Sequence, residues 1–429
     1  MTKRVLIFFP HNLWPPRTGA HKRGLELIDG FNEIGCEVGL VSSTLSTDTP
    51  WKPASVAALK ARCSNVYLHE AAPADLRYRE RLRRYYQPNY LWFPVVRRLH
   101  PLGHREPPFN TRMHTPPAMR RWFHEVVEQF APDVIVMNYA YWDRLIDHAR
   151  LSSVLRIIDT IDLISLNKQM QDAIRKWLPK PLSNKGVPDE LLREDFFESQ
   201  NVLTSPEEFR IYDRYNYSIA IAATEAETIR RNTRRTRVML LPMTQEPRLI
   251  ANRYDGPALF PVGPNLFNTQ GYLCFVNRIL PQVLREAPSF TLKVTGYYEN
   301  IIPPEAVERV EFAGFLPSLQ EAYERAPFAI CPVFGGTGQQ VKIIEALAHG
   351  VPVVAFRSAA ERSPLLDNVN GLVANNSAEF AAHVVTLWND RHLCRRLGEA
   401  ARLTVAERFS RDTLLKGLEE MIGTPGHAC

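Results

Sequence analysis

The stretch that decides the fold is Cys331-Pro332-Val333-Phe334-Gly335-Gly336-Thr337-Gly338-Gln339-Gln340-Val341-Lys342-Ile343-Ile344-Glu345-Ala346-Leu347-Ala348-His349-Gly350-Val351-Pro352-Val353-Val354. A short apolar run enters a loop with three glycines. The loop opens a segment whose apolar residues Val341, Ile344 and Leu347 recur at helical spacing, and a second apolar run follows Pro352. Strand, glycine loop, helix and strand make the unit of a parallel α/β sheet. Glycine lets a ligand approach the peptide plane. A helix start offers unpaired N–H groups and a positive dipole end, both suited to a pyrophosphate. Gly336, Thr337, Gly338 and Gln339 are therefore candidates for a phosphate cradle, with Lys342 placed to neutralise charge. Glu345 would repel a phosphate, but its two acceptor oxygens suit a ribose diol. The bland alternative is that Lys342 and Glu345 form a surface ion pair of little energetic weight. The stretch is neither GxxxxGK[ST] nor a clean GxGxxG.

Working outward, short apolar runs at Phe290–Thr295, Val310–Ala313, Phe328–Pro332, Pro352–Phe356 and Gly371–Val373 read as strands. Helical patterns lie at about Tyr272–Arg285, Leu319–Ala326, Ser377–Asn389 and His392–Phe409, while Asn252–Pro264 reads as turns. The N-terminal part has the same grammar. Val5–Phe9 is a buried-strand pattern rather than a signal peptide. A turn-rich loop from Pro10 to Gly19 follows it, then a helix through Leu25, Ile28 and Phe31 closed by Gly35, then a strand at Val38–Ser42. Further strands are expected at Val134–Met137, Leu155–Ile158 and Ile219–Ala222, and helices at Met119–Phe130 and Glu190–Thr204. The 429 residues exceed one ordinary core. The expected division is residues 1–250 with an insertion at about 45–130, residues 251–410, and a C-terminal helix and tail at 411–429 packing back on the first domain. Two such domains leave a cleft facing the carboxyl ends of their strands.

Composition narrows the classes. No window approaches twenty uninterrupted apolar residues. The six cysteines are scattered, none in a CxxC pair, which suits a reducing cytoplasm. No Cys/His cluster has zinc spacing. The formal charge is +6. Between Arg77 and Arg105, eight arginines face only Glu80, with aromatic residues interleaved. That segment fits peripheral contact with an anionic membrane, an anionic glycan or a partner, and equally a solvated helix with inward aromatics. Nucleic acid is disfavoured, since no recognised module accompanies the basic run. Oligomeric state has no signature here.

Residues 335–354 resemble the donor-site signature of retaining glycosyltransferases of GT-B fold, specifically glycosyltransferase family 4, whose members often carry Lys and then Glu-Ala-Leu-Ala-x-Gly-x-Pro-Val-Val. Pro15–Arg23 resembles that family's opening loop and helix, Phe260–Gly263 the start of its donor domain, Val310–Phe315 a strand before its donor helix, and Ile158–Asp162 a loop facing its cleft. The resemblance implies two Rossmann-like domains, acceptor on the first and nucleoside-diphosphate sugar on the second, retention of anomeric configuration, and catalysis without a metal ion. Acceptors would be a glycan, glycolipid or glycoprotein. On that reading Gly19 and Gly263 join the donor contacts, while Asp159, Asp162 and His11 are acceptor-side catalytic candidates beside Lys342. The carboxylates equally suit helix capping. The chain departs from the family pattern at Thr337, where relatives often carry a first Glu, at Gln340, where some carry Arg, and at Ile161, where many carry His. A nucleotide-sugar 2-epimerase of the same architecture and a non-catalytic nucleotide- or glycan-binding homologue are the competing readings.

Overall fold

The computed structural model describes residues 2–45, 50–86, 110–296, 301–316 and 318–423. Two wholly parallel sheets carry the fold. The first contains β1 (Arg4–Phe8), β2 (Glu37–Ser43), β3 (Asn65–His69), β4 (Val134–Asn138), β5 (Leu155–Asp159), β6 (Tyr217–Ala220) and β7 (Arg237–Leu240), in the order β3-β2-β1-β4-β5-β6-β7. The second contains β8 (Ala258–Val262), β9 (Leu292–Gly296), β10 (Val310–Gly314), β11 (Ala329–Cys331), β12 (Val353–Phe356) and β13 (Gly371–Ala374), in the order β10-β9-β8-β11-β12-β13. Both sheets start in the middle, wind to one edge and then resume on the other side. The crossover direction therefore reverses between β1 and β4 and again between β8 and β11, which is where such sheets hold ligands. β1, β4 and β8 are buried along almost their whole length, as doubly covered parallel strands must be.

Two elements differ from the sequence expectation. Glu190–Thr204 is not one helix. It forms a 3-10 turn at Asp189–Leu192 and a short helix at Phe196–Ser199, with extended chain after them. Tertiary contact overrides helical periodicity here. Leu191, Leu192 and Phe196 enter the core of the second sheet. Arg278 Nη1 donates to the Leu192 carbonyl at 3.1 Å, and Glu194 Oε1 accepts from the Ser377 N–H at 2.7 Å. Asn252–Pro264 is not all turn, because it contains β8, the central strand. Pro261 disguises it, a proline inside a strand pattern ordinarily arguing against a central position. The cost shows in the ladder: β8 pairs with β9 over five residues but with β11 only at Leu259.

The helix expected at Tyr272–Arg285 begins earlier, at Leu266, capped by the Asn265 side chain. It passes through a π turn at Phe275–Ile279 before continuing as Leu280–Glu286. Pro281 at the head of the last segment lacks an N–H and crowds the carbonyl four residues before it, and the wider turn absorbs both.

The expected insertion contains β3 at the sheet edge and helices at Pro53–Lys60, Pro73–Tyr86 and Pro117–Phe130. Of the basic 77–105 segment, residues 87–105 lie outside the described residues. Within Pro73–Tyr86, Arg77, Arg81, Arg83 and Arg84 are exposed, while Arg79 turns back to donate to the Leu45 carbonyl at 2.8 Å. Among the described residues no helix is long and apolar enough to cross a membrane. The C-terminal helix Arg411–Gly423 packs on the first helix, Gly19–Glu33, with Leu414, Leu418 and Met421 inside the core of the first sheet.

Candidate functional site

The glycine loop leaves β11 at the reversal point of the second sheet. Gly336 has φ +114°, a conformation that costs glycine nothing and other residues a good deal. The loop delivers its backbone to the start of the helix Val341–Ala348, which no side chain caps. Arg362 supports the loop from beneath, its Nη2 donating to the Gly335 carbonyl at 2.9 Å and its Nη1 to that of Gly336. Burial lowers the Arg362 pKa to about 10, so it stays charged at neutral pH. Arg362 is the site residue that sequence reading missed. It lies 26 positions beyond Gly336 with no motif of its own, and only the fold returns it to the loop.

Around this centre the structure brings together most of the expected donor residues. Lys342 is half-buried, lies 5.3 Å from the Phe260 ring and donates to Asn268 Oδ1. Burial lowers its pKa. Asn268 also donates to the Gly263 carbonyl at 2.9 Å, so Gly263 is tied to Lys342 through one amide. Glu345 lies one turn further along, half-buried, with Lys22 of the first helix 3.8 Å away. Gln339 accepts from the Met243 N–H at 3.1 Å. Gly19 opens the first helix opposite Val341: a Cβ added at Gly19 would stand 3.4 Å from Val341 Cγ2. The amino ends of two helices, one from each sheet, thus meet across the cleft.

The two aspartates separate. Asp159 is fully buried and receives Arg23 Nε at 3.1 Å, while the same guanidinium holds Glu26 at 2.9 Å. That network fastens the first helix to β5 and leaves Asp159 no face toward an acceptor. Asp162 instead crosses to the other sheet. Its Oδ1 accepts from the Gly338 N–H at 2.8 Å and from the Thr337 hydroxyl at 2.9 Å, and Thr337 Oγ1 accepts from the Leu163 N–H at 3.1 Å. Burial pushes the Asp162 pKa up, and the bonds from Thr337 and Gly338 pull against it. The loop that carries Asp162 is strained: Ile161 sits at φ +61°, an outlier for a β-branched residue. A side chain at Gly338 would collide with the Ile161 carbonyl at 2.6 Å, so glycine is required there by close approach. Thr337, in the position of the family's first Glu, is spent on this contact.

His11 leaves the end of β1 half-buried, its ring centroid 6.4 Å from that of His21. It stands at the carboxyl end of the first sheet, edge-on to Phe9 at 6.1 Å and close enough to His114 for its charge to act there. Tyr139, at the end of β4, also has positive φ, +64°. Among the described residues no group of three or more His, Cys, Asp or Glu side chains is arranged to hold a metal ion.

Residues 257–390 match the family model described as glycosyl transferases group 1. An uncharacterized 44.6 kDa protein in the cps region of Klebsiella pneumoniae is 26% identical over 134 residues, 28% of this chain and 34% of that relative, so the match spans about a third of the relative's length. Solved structures resemble the chain nearly end to end. Sucrose-phosphate synthase from Thermosynechococcus elongatus aligns at TM-score 0.63 and 14% identity, covering 98% of both chains. HepE of Anabaena, in complex with UDP and glucose, aligns at 0.58 and 13%, covering 98% of this chain and 99% of that one. A point mutant of S. aureus TarM, in complex with UDP, alpha-GlcNAc-glycerol and Fondaparinux, aligns at 0.62 and 10%, covering 99% of this chain and 100% of that one. Two Rossmann-like parallel sheets face a cleft in the GT-B arrangement, and residues 257–390 of the chain form a glycosyl transferases group 1 domain.

Proposed function

We propose that the protein moves a sugar from a nucleoside-diphosphate sugar to a carbohydrate-containing acceptor, with retention of configuration and without a metal ion. The observation that carries this reading is the meeting of two helix amino ends, Gly19 and Val341, over the Gly336–Gly338 loop, with Lys342 beside it and Glu345 one turn on. The scissile bond joins the anomeric carbon to the diphosphate. As it breaks, negative charge grows on the leaving phosphate and the sugar ring becomes cationic. Preorganised N–H groups, helix dipoles and Lys342 lower the energy of that charge without reorganising. Arg362 keeps the loop in register. These groups supply the positive charge that a divalent ion supplies elsewhere, so excess chelator should leave the transfer rate unchanged. Glu345 takes the ribose hydroxyls, and the acceptor enters from the His11 side. UDP complexes of HepE and TarM, and a relative from a cps region, agree with a nucleotide-sugar donor and a role in polysaccharide synthesis.

The test is a panel of nucleoside diphosphates and nucleotide sugars scored by thermal shift. A ligand at a hundredfold excess over its Kd adds about 2.7 kcal/mol to the native state. Glu345→Gln should weaken donor binding about tenfold or more with an unchanged ligand-free Tm. Equal donor affinity in the variant would remove the ribose assignment, and no response to any nucleotide would remove the function.

A further inference from the structure

A second cluster of cations lies beside the acceptor side of the cleft. The 3-10 turn Arg112–His114 packs against the turn Ala140–Leu145 that follows β4. His114 stacks on Tyr141, with centroids 4.5 Å apart, and meets Trp142 edge-on at 5.3 Å. Arg120 Nε donates to the Arg144 carbonyl at 2.9 Å, bringing two guanidinium-bearing residues together, and the charges of Arg120 and Arg112 depress the Arg144 pKa after burial has done so. Burial, then Arg79 and His11, push the His114 pKa to about 4, so His114 is neutral at physiological pH.

Among the described residues no carboxylate pairs with Arg112, Arg120 or Arg144. The neighbouring Asp143 is already held by His148 at 2.8 Å and Arg214 at 2.6 Å. Asn110, in the turn just ahead of Arg112, is buried, and among the described residues its Nδ2 has no hydrogen-bond partner. The 14-residue helix Pro117–Phe130 starts with no side-chain cap and no acidic residue, and Arg120 stands in its first turn, where a positive side chain opposes the dipole. Like charges gathered around an uncapped helix start favour an anion among them, and Asp143, whose charge reaches Arg144, is shared with His148 and Arg214.

We propose that the acceptor carries a phosphate group, and that Arg112, Arg120 and Arg144 receive it at the start of the helix Pro117–Phe130. The inference rests on the glycosyltransferase reading and extends it to acceptor class. Guanidinium forks match phosphate oxygens in pairs, and a helix start adds N–H donors. His114 and Tyr141 offer an aromatic floor for the adjoining sugar or prenyl chain. The phosphate belongs either to a lipid-linked pyrophosphate or to a phosphorylated saccharide.

Calorimetric titration of the full chain, saturated with whichever of UDP, GDP or ADP it binds, tests this with the donor site occupied. The probes are geranyl pyrophosphate, glucose 6-phosphate, and the neutral geraniol and glucose. A phosphate probe should bind the wild type, and the Arg112→Gln/Arg144→Gln double variant should bind it about tenfold more weakly at unchanged nucleotide affinity. Binding of geranyl pyrophosphate alone assigns the lipid source, and binding of glucose 6-phosphate assigns the saccharide. Arg112→Gln alone, at an exposed position, should weaken binding in the same direction. A wild type that takes the nucleotide but neither phosphate probe, or a double variant with undiminished binding, overturns the proposal. A wild type that takes no nucleotide overturns the donor reading instead.

Discussion

On the proposed donor reading, Asp162 and a donor phosphate would compete for one N–H. The carboxylate holds Gly338 N at 2.8 Å, at the helix start that the diphosphate would use. An ionised acceptor makes roughly twice the bond of a neutral one. Asp162→Asn keeps the shape and removes the charge, so nucleoside-diphosphate affinity should rise by about threefold, read by calorimetry. A tenfold loss would mean that Asp162 helps to build the site rather than covering it. Beneath the same loop, Glu225 is buried and its pKa is raised by burial to about 8. Thr160 Oγ1 lies 2.7 Å from Glu225 and 2.8 Å from the Ile219 carbonyl, and its one proton cannot serve both. A protonated Glu225 donating to Thr160 resolves the conflict. The unfolded carboxyl titrates near 4.5, so between that value and about 8 the native state holds the extra proton. Stability therefore falls as pH rises through this window, by at most about 1.4 kcal/mol per pH unit from this group. Glu225→Gln copies the neutral acid, and its Tm should change less between pH 5 and 8 than that of the wild type. Parallel Tm curves would exclude the assignment.

At the scale of elements, what was legible followed local pattern, and what was not depended on distant partners. The glycine loop and the helix after it could be read because apolar spacing, glycine and the strand run occur within 25 contiguous residues. β8 could not, since Pro261 breaks its pattern and only burial between β9 and β11 makes it a strand. Glu190–Thr204 has helical spacing, yet Leu191, Leu192 and Phe196 find the second core and pull the chain out of the helix. Likewise Asp159 and Asp162 look equivalent in sequence, and a buried Arg23 separates their fates. The C-terminal helix Arg411–Gly423 is a case where an amphipathic pattern is enough to read an element, and its docking gives a sharp test. Gly30 lets it approach closely, since a Cβ there would lie 2.7 Å from Leu418 Cδ1. Leu418 is fully buried, so Leu418→Ala should cost about 3 kcal/mol by denaturant titration. A change below about 1 kcal/mol would show that the helix is not docked there in solution.

At the scale of the whole molecule, each sheet borrows core from the other half of the chain. The helix Ile164–Trp177, which follows β5 of the first sheet, places Ala173 and Ile174 in the core of the second, and Leu191, Leu192 and Phe196 follow. In return the last helix, beyond β13, places Leu414, Leu418 and Met421 in the core of the first. Arg411 adds a paired contact to Glu33 at 2.8 and 3.0 Å. Two halves joined by one linker would unfold in separate steps, with a donor stabilising only the half that binds it. Here neither core can open without stripping apolar side chains from the other, and each such residue is worth about 1.5–3 kcal/mol of burial. Scanning calorimetry should therefore give one endotherm, and a bound nucleotide should move all of it upward together. Two endotherms, only one of them shifted by nucleotide, would mean that the borrowed segments do not couple the halves. The distinction bears on function, because a cleft whose walls share core opens by small adjustments such as the Asp162 loop rather than by wide separation.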